Sequence, residues 1–223
     1  MIKITLLSRQ VLLPLFFMLT FTLSSTSTAL AVVSESKNDS GADNYISDIE
    51  ADGLYSWGQN KLPLKVYFQP GNNVPAYRTK FKEILISCFD EWSQVSNGQL
   101  DWTEVTDPQA ADILVSWSDQ AVEASQGTEA GKTRTYAHYN QQTNHGKIDR
   151  AEMRLLTRLP EREFSESEVK KAYLHEVGHA FGIVGHSTNP NDIMYFAVSK
   201  KQGLELTQRD KATLNYLYTP AAI

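Results

Sequence analysis

Apolar positions recur along this chain with two periods, and the alternation of those periods sets out the expected elements. Leu62-Pro-Leu-Lys-Val-Tyr-Phe68 is apolar, β-branched and aromatic enough for a first strand, and Pro70-Gly71-Asn72-Asn73 breaks it. From Tyr77 to about Ser96 the residues Phe81, Ile84, Leu85, Cys88, Trp92 and Val95 fall three or four apart, the stripe of a long amphipathic helix closed by Asn97-Gly98. Leu100 to Val105 alternates in the manner of a strand, and Asp112-Ile-Leu-Val-Ser-Trp-Ser118 reads as a short buried one. Gly127 to Lys132 reads as a loop of small and polar residues, Thr133 to Tyr139 alternates again, and Lys147 to Leu156 gives the last strand through Ile148, Ala151, Met153 and Leu155. Two helix starts follow. Ser165-Glu-Ser-Glu168 is a capping box, in which the serine satisfies an early helix amide and the glutamate reaches back. Thr207-Gln-Arg-Asp210 has the same pattern and opens a short C-terminal helix with Leu214 and Leu217 on its buried side. Strand, helix, several strands, helix, turn and helix together predict an α+β domain whose twisted mixed sheet carries its helices.

Composition adds a leader and a charge balance. Lys3 and Arg9 precede an apolar run from Val11 to Leu23, and small residues end in Ala29-Leu30-Ala31, an A-x-A site. Residues 1–31 therefore read as a secretory signal peptide, and the mature chain is expected outside the cell or in a periplasm. The run contains Pro14 and falls short of the roughly 20 residues of a membrane span, so no stable membrane association is expected after cleavage. Residues 32–56 are expected to be a flexible lead-in or short propeptide, because Val32 to Asp52 is polar and acidic. Asp39, Asp43, Asp48 and Asp52 are all available there to meet a metal, and the sequence selects none of them. Residues 57–223 then form the working domain. Taking Lys3 and Arg9 from the 21 basic residues leaves 19 against 26 acidic ones, a net charge of −7. That balance argues against nucleic acid or anionic lipid as a partner. With one cysteine, Cys88, no internal disulfide can form, and its place on the helical stripe marks a buried structural thiol.

The chemistry concentrates in Tyr173-Leu-His-Glu-Val-Gly-His-Ala-Phe-Gly-Ile-Val-Gly-His186. His175, Glu176 and His179 stand in the order H-E-x-x-H. Residues four apart share a helix face, so His175 and His179 can aim two imidazoles at one point. Zinc accepts neutral imidazole nitrogen at about 2.0–2.1 Å, and a catalytic site uses three protein ligands with one open position for water. The third ligand must come from a chain that turns back. Gly182 can make the left-handed turn that ends a helix, and His186 is placed to supply the ligand. Glu176 is not needed as a ligand and is free to act on the water at the open position.

This segment resembles the zinc-binding consensus of the metzincin metallopeptidases, and most of all the matrixin branch that includes the matrix metalloproteinases. That consensus reads H-E-x-x-H-x-x-G-x-x-H and is followed by a methionine-containing turn. His175, Glu176, His179 and Gly182 are in register with it, whereas Ile183-Val184-Gly185 puts three residues instead of two before His186. Gly185 is read as absorbing the extra residue. Asn191-Asp192-Ile193-Met194-Tyr195 resembles the Met-turn, which implies that Met194 is the hydrophobic floor of the site. Tyr195 follows the methionine directly, as in matrixins. The metal-binding tyrosine of astacin-like and serralysin-like relatives lies two places after it, where this chain has Phe196, so Tyr195 is not assigned as a ligand.

The resemblance implies one catalytic Zn2+ held by His175, His179 and His186, with Glu176 as general base. It implies a secreted, monomeric endopeptidase acting on extended protein or peptide substrates, which the strand at Thr133 to Tyr139 would hold, although that strand reads equally well as an ordinary sheet edge. It also implies a sheet-bearing upper part and a smaller lower part after Gly182. A latency role for Cys88 does not fit, because the matrixin cysteine switch lies upstream of the domain and no cysteine precedes Leu62.

Other readings compete. His138 and His145 with Asp149 could form a second metal site, but matrixin structural-zinc spacing is not reproduced, and solvated loop histidines are the better reading. Scattered acidic residues do not single out structural Ca2+. A thermolysin-type zincin would take a downstream glutamate as third ligand, and only Glu205 lies within reach. A secreted zinc-dependent binding module without activity is the remaining alternative, and Glu176 argues against it.

Overall fold

In chain order the elements are α1 (Ile46–Ile49), β1 (Leu54–Trp57), β2 (Leu64–Phe68), α2 (Thr79–Gln94), β3 (Trp102–Glu104), β4 (Ile113–Ser118), β5 (Val122–Ala124), β6 (Gly127–Glu129), β7 (Gly131–Asn140), β8 (His145–Leu156), α3 (Glu166–Ala180) and α4 (Gln208–Leu217). This computed structural model describes residues 44–120, 122–124, 127–197 and 202–219. The chain divides into Met1–Gly41 and Ala42–Ile223, and every described residue belongs to the second unit. The signal peptide read in residues 1–31 lies outside the described residues. Among those described, no helix is long and apolar enough to cross a membrane.

The sheet is built on β8. Parallel β1 runs beside its first half, Leu54 to Trp57 against His145 to Ile148. Parallel β4 runs beside its second half on the same edge, Ile113 to Ser118 against Ala151 to Leu156. The sheet continues in parallel through β2 to β3. Parallel neighbours cannot be joined by a hairpin, and α2 supplies the crossover between β2 and β3. The opposite edge of β8 carries β7, antiparallel, with a register shift between Tyr136 and Ala137. β5 and β6 form a separate antiparallel pair. The result is the mixed α+β sheet that the periodicity predicts, with β7 as an edge strand.

The helical stripe packs as expected: Phe81, Ile84, Leu85, Cys88 and Trp92 of α2 are buried, joined by Phe89. Across the core from it lies α3, which buries Val169, Ala172, Tyr173, Val177 and Ala180. Both halves of the capping box at Ser165 and Glu168 are formed. Arg162 bonds the same glutamate and, with the serine, holds its carboxyl down at about 2. At the other end a helix leaves carbonyls without intrahelical partners, and a buried one must find a donor. Trp57 Nε1 donates to Ala180 O at 2.9 Å, and the Tyr218 hydroxyl donates to Phe181 O at 2.8 Å. Trp92 Nε1 adds a bond to Leu174 O at 2.8 Å. Three aromatic donors, from β1, from the residue that ends α4 and from α2, therefore fix the helix that carries the histidines.

Three expectations change. The lead-in expected over residues 32–56 does not extend to Tyr45 and beyond, where α1 and β1 join the fold with Tyr45, Ile49, Tyr55 and Trp57 almost fully buried. A few large anchors outweigh the polar residues between them, each contributing about 1.5–3 kcal/mol or more on full burial. The loop expected at Gly127 to Lys132 contains β6 and the first residues of β7. His145 is not a solvated loop residue: it begins β8, is buried where β1 runs alongside, and has Nε2 2.8 Å from Ser56 Oγ.

Candidate metal centre

The rings of His175 and His179, one turn apart on α3, lie 4.6 Å centroid to centroid. The helix ends at Phe181, and Gly182 turns the chain at φ +111°. Gly182 N–H donates to His179 O and Ile183 N–H to Gly178 O, at 3.1 and 3.0 Å. A Cβ on Gly182 would sit 2.5 Å from the Tyr55 carbonyl oxygen of β1, so both the conformation and the space require glycine. The returning loop sets the His186 ring 5.2 Å from that of His175 and 5.0 Å from that of His179. One ligand-capable atom from each of the three lies within 4.8 Å of the others. Gly185, just before His186, leaves no room for a side chain: a Cβ there would fall 2.7 Å from Ile49 Cγ2.

Two backbone carbonyls fix the protonation of this cluster. His175 Nδ1 lies 2.9 Å from Ile193 O, and His179 Nδ1 lies 2.6 Å from Ile183 O. A carbonyl only accepts, so each Nδ1 carries the proton. In a neutral imidazole the other nitrogen is then a bare lone pair. Those Nε2 atoms face each other at 3.0 Å. No hydrogen bond can join two lone pairs, whereas a cation between them can. Tetrahedral bonds of 2.0–2.1 Å would put two such nitrogens about 3.3 Å apart, close to the spacing here. Charging either ring instead is disfavoured. Burial, reinforced by His186, pushes His175 from its ordinary 6.5 down to about 4. Burial and its two neighbours push His179 well down as well, and burial lowers the more exposed His186. Three neutral nitrogen donors, two of them with fixed outer hydrogen bonds, suit Zn2+.

Glu176 is turned toward β7. Its Oε2 accepts a 2.6 Å hydrogen bond from Thr133 Oγ1. A Cβ on Gly131, two residues earlier on the same strand face, would fall 2.7 Å from Glu176 Cγ. Met194, fully buried, lies under the helix: a Cβ on Gly178 would meet its Sδ at 2.3 Å. Asp210, the second residue of its capping box, is buried and accepts from Ile193 N at 3.0 Å and Met194 N at 3.4 Å. Burial raises the Asp210 carboxyl despite these bonds. Asp192 accepts from Ser187 Oγ at 2.5 Å and Arg209 Nε at 3.1 Å, tying the two sides of the turn together. The sequence pattern missed Thr133, Gly131, Gly178 and Asp210. Only the glycine inside H-E-x-x-H and the capping box carried a local signal.

The remaining expectations sort cleanly. His138 pairs with Asp149 at 2.5 Å on the surface, while His145 faces Ser56, so these residues do not combine. Among the described residues, the three histidines are the group able to hold a metal, and exposed Glu205 is not part of it. Cys88 is buried and free, with its thiol pushed up by burial.

A family model, that of the matrixins, matches residues 56–219. Among curated proteins, none matches the chain significantly.

Two outcomes follow from the geometry. Gly178→Ala gains about 1 kcal/mol of helix propensity but overpacks buried Met194 and Trp92 at a cost of about 1–3 kcal/mol, so a net loss is expected in urea denaturation. A more stable variant would contradict the packing of Met194. For the metal-free protein, the folded pKa of His175 lies below its unfolded value. The unfolded chain therefore binds more protons between the two, and stability present above about 6.5 is lost as pH falls toward about 4. Urea midpoints of chelator-treated protein should fall across that window, and less so in His175→Gln; parallel curves would contradict the buried, neutral imidazoles.

Proposed function

Because this chain belongs to the matrixin family of zinc metallopeptidases, we propose that it is a secreted endopeptidase whose zinc is held by His175, His179 and His186 and whose general base is Glu176. The observation that carries the reading is the pair of Nε2 lone pairs facing each other at 3.0 Å with the third imidazole beside them. A zinc ion held by these three imidazoles would supply Lewis acidity, acidifying water at the open position and polarising the scissile carbonyl. His175 and His179 keep their Nδ1 protons on Ile193 O and Ile183 O, which holds both rings in the ligating tautomer. Glu176 takes a proton from the attacking water and passes it to the leaving nitrogen. Thr133 fixes its carboxylate on the β7 side. Met194 supports the helix from below without touching the chemistry.

Substrate is held extended along β7. That strand pairs antiparallel with β8, and an edge strand can accept a peptide as one further strand. Residues Gly131 and Thr133 place the edge directly beside Glu176, which favours this role over that of an ordinary sheet margin. The A-x-A pattern at Ala29 to Ala31 supports export. The peptidase reading is preferred to a thermolysin-type arrangement because His186, not Glu205, stands with the other two imidazoles. It is preferred to a binding module because Glu176 is buried and hydrogen-bonded beside the cluster, where it has no ligand role to fill.

Purified Glu176→Gln protein should retain one zinc per chain and lose about 10²–10⁴-fold in cleavage of casein or gelatin. Wild-type cleavage that a chelator leaves intact, or a Gln variant as active as wild type, would refute the assignment.

A further inference from the structure

The family match begins at residue 56, yet the loop that brings in His186 is also held by residues ahead of it. Ile49, 1% exposed, fills the space beside residue 185: a Cβ there would lie 2.7 Å from Ile49 Cγ2 and 3.1 Å from Ile49 Cα. Two residues past the histidine, Asp48 Oδ2 accepts both the Thr188 N–H at 3.1 Å and the Thr188 hydroxyl at 3.0 Å. The same segment is anchored on α4. Tyr45 N–H donates to Thr213 Oγ1 at 3.0 Å, and the Tyr45 hydroxyl donates to Asp210 Oδ1 at 2.9 Å, the carboxylate that carries the Met194 turn. From within the loop region, Ser187 N–H donates to Met194 O at 2.8 Å.

The lengthened spacer and this segment answer each other. With three residues between Gly182 and His186, the loop has one more residue to fix than the H-E-x-x-H-x-x-G-x-x-H spacing allows. The three-residue spacer ends in Gly185, and Ile49 packs against the face where a side chain there would be. We propose that Tyr45 to Gly53 is a strap that positions the third imidazole, with Ile49 against Gly185 and Asp48 on Thr188 setting the loop that presents His186. Asp48 is thus a positioning residue acting through the loop, not a group that meets the metal. The inference rests on the reading of His186 as third ligand. It also carries a consequence for maturation: trimming that leaves a working site ends before Tyr45.

Outer-sphere contacts of this kind change metal affinity by about 10–100-fold when removed. The test uses the full chain loaded with zinc and follows zinc release to a chromogenic chelator, alongside urea denaturation. Asp48→Ala should release zinc about tenfold faster than wild type. Asp48→Asn, which keeps an acceptor oxygen for Thr188, should release it near the wild-type rate. Lys61→Ala, which breaks the Lys61–Asp112 pair at 2.9 Å, calibrates a loss of stability unrelated to the loop and should leave release unchanged. Should Asp48→Ala fold poorly, Thr188→Val loses the hydroxyl bond alone and should show a smaller acceleration. An Asp48→Ala protein that holds zinc like wild type, or a Lys61→Ala protein that releases it as fast, overturns the strap. A wild-type chain that binds no zinc overturns the metal centre itself and the strap with it.

Discussion

Ile193 O and Ile183 O each accept a hydrogen bond from the Nδ1 of a histidine on α3, and those two bonds leave two imidazole lone pairs aimed at one point. Most of the neighbouring structure serves to keep these carbonyls where they are. Ile183 O is set by the turn at Gly182, which closes on the carbonyls of Gly178 and His179. Ile193 O is set by the Met194 turn, whose amides end on the buried Asp210 carboxylate. The helix between them is fixed at its start by a capping box and at its end by indole and phenol donors. Two bare imidazole nitrogens are thereby held side by side, and the cost of keeping their lone pairs together is met by the packing around them.

Burial has two consequences here. It removes water from the imidazoles and so keeps them neutral, which a ligand must be. It also leaves Glu176 in a confined place between α3 and β7, where Thr133 reaches its carboxylate and Gly131 makes room for it. The edge strand proposed to receive substrate is therefore the strand that holds the Glu176 carboxylate. Membership of the matrixin family and this arrangement point the same way, and Ile49 packs against Gly185 in the spacer that carries one residue more than the motif.

The elements were legible where a period ran long enough. The stripe from Phe81 to Trp92, the alternation through β7 and β8, and both capping boxes each encode their element locally. The three histidines were legible because their spacing is itself the chemistry. What the pattern hid depends on contacts distant in sequence. Tyr45 and Ile49 sit among acidic and small residues, and their burial follows from α4 and the His186 loop, more than 130 residues on. His145 looked like a loop residue because its shelter comes from β1, itself only four residues long. Thr133 carries no motif, and its role is visible only once β7 lies against α3.

The central claim is that three neutral imidazoles, two of them with tautomers fixed by backbone carbonyls, share one ion. X-ray absorption at the zinc edge of the purified protein addresses it most directly. The account predicts one zinc per chain with three imidazole nitrogens and one oxygen at about 2.0–2.1 Å. A first shell with two imidazoles, or with sulfur, would contradict it.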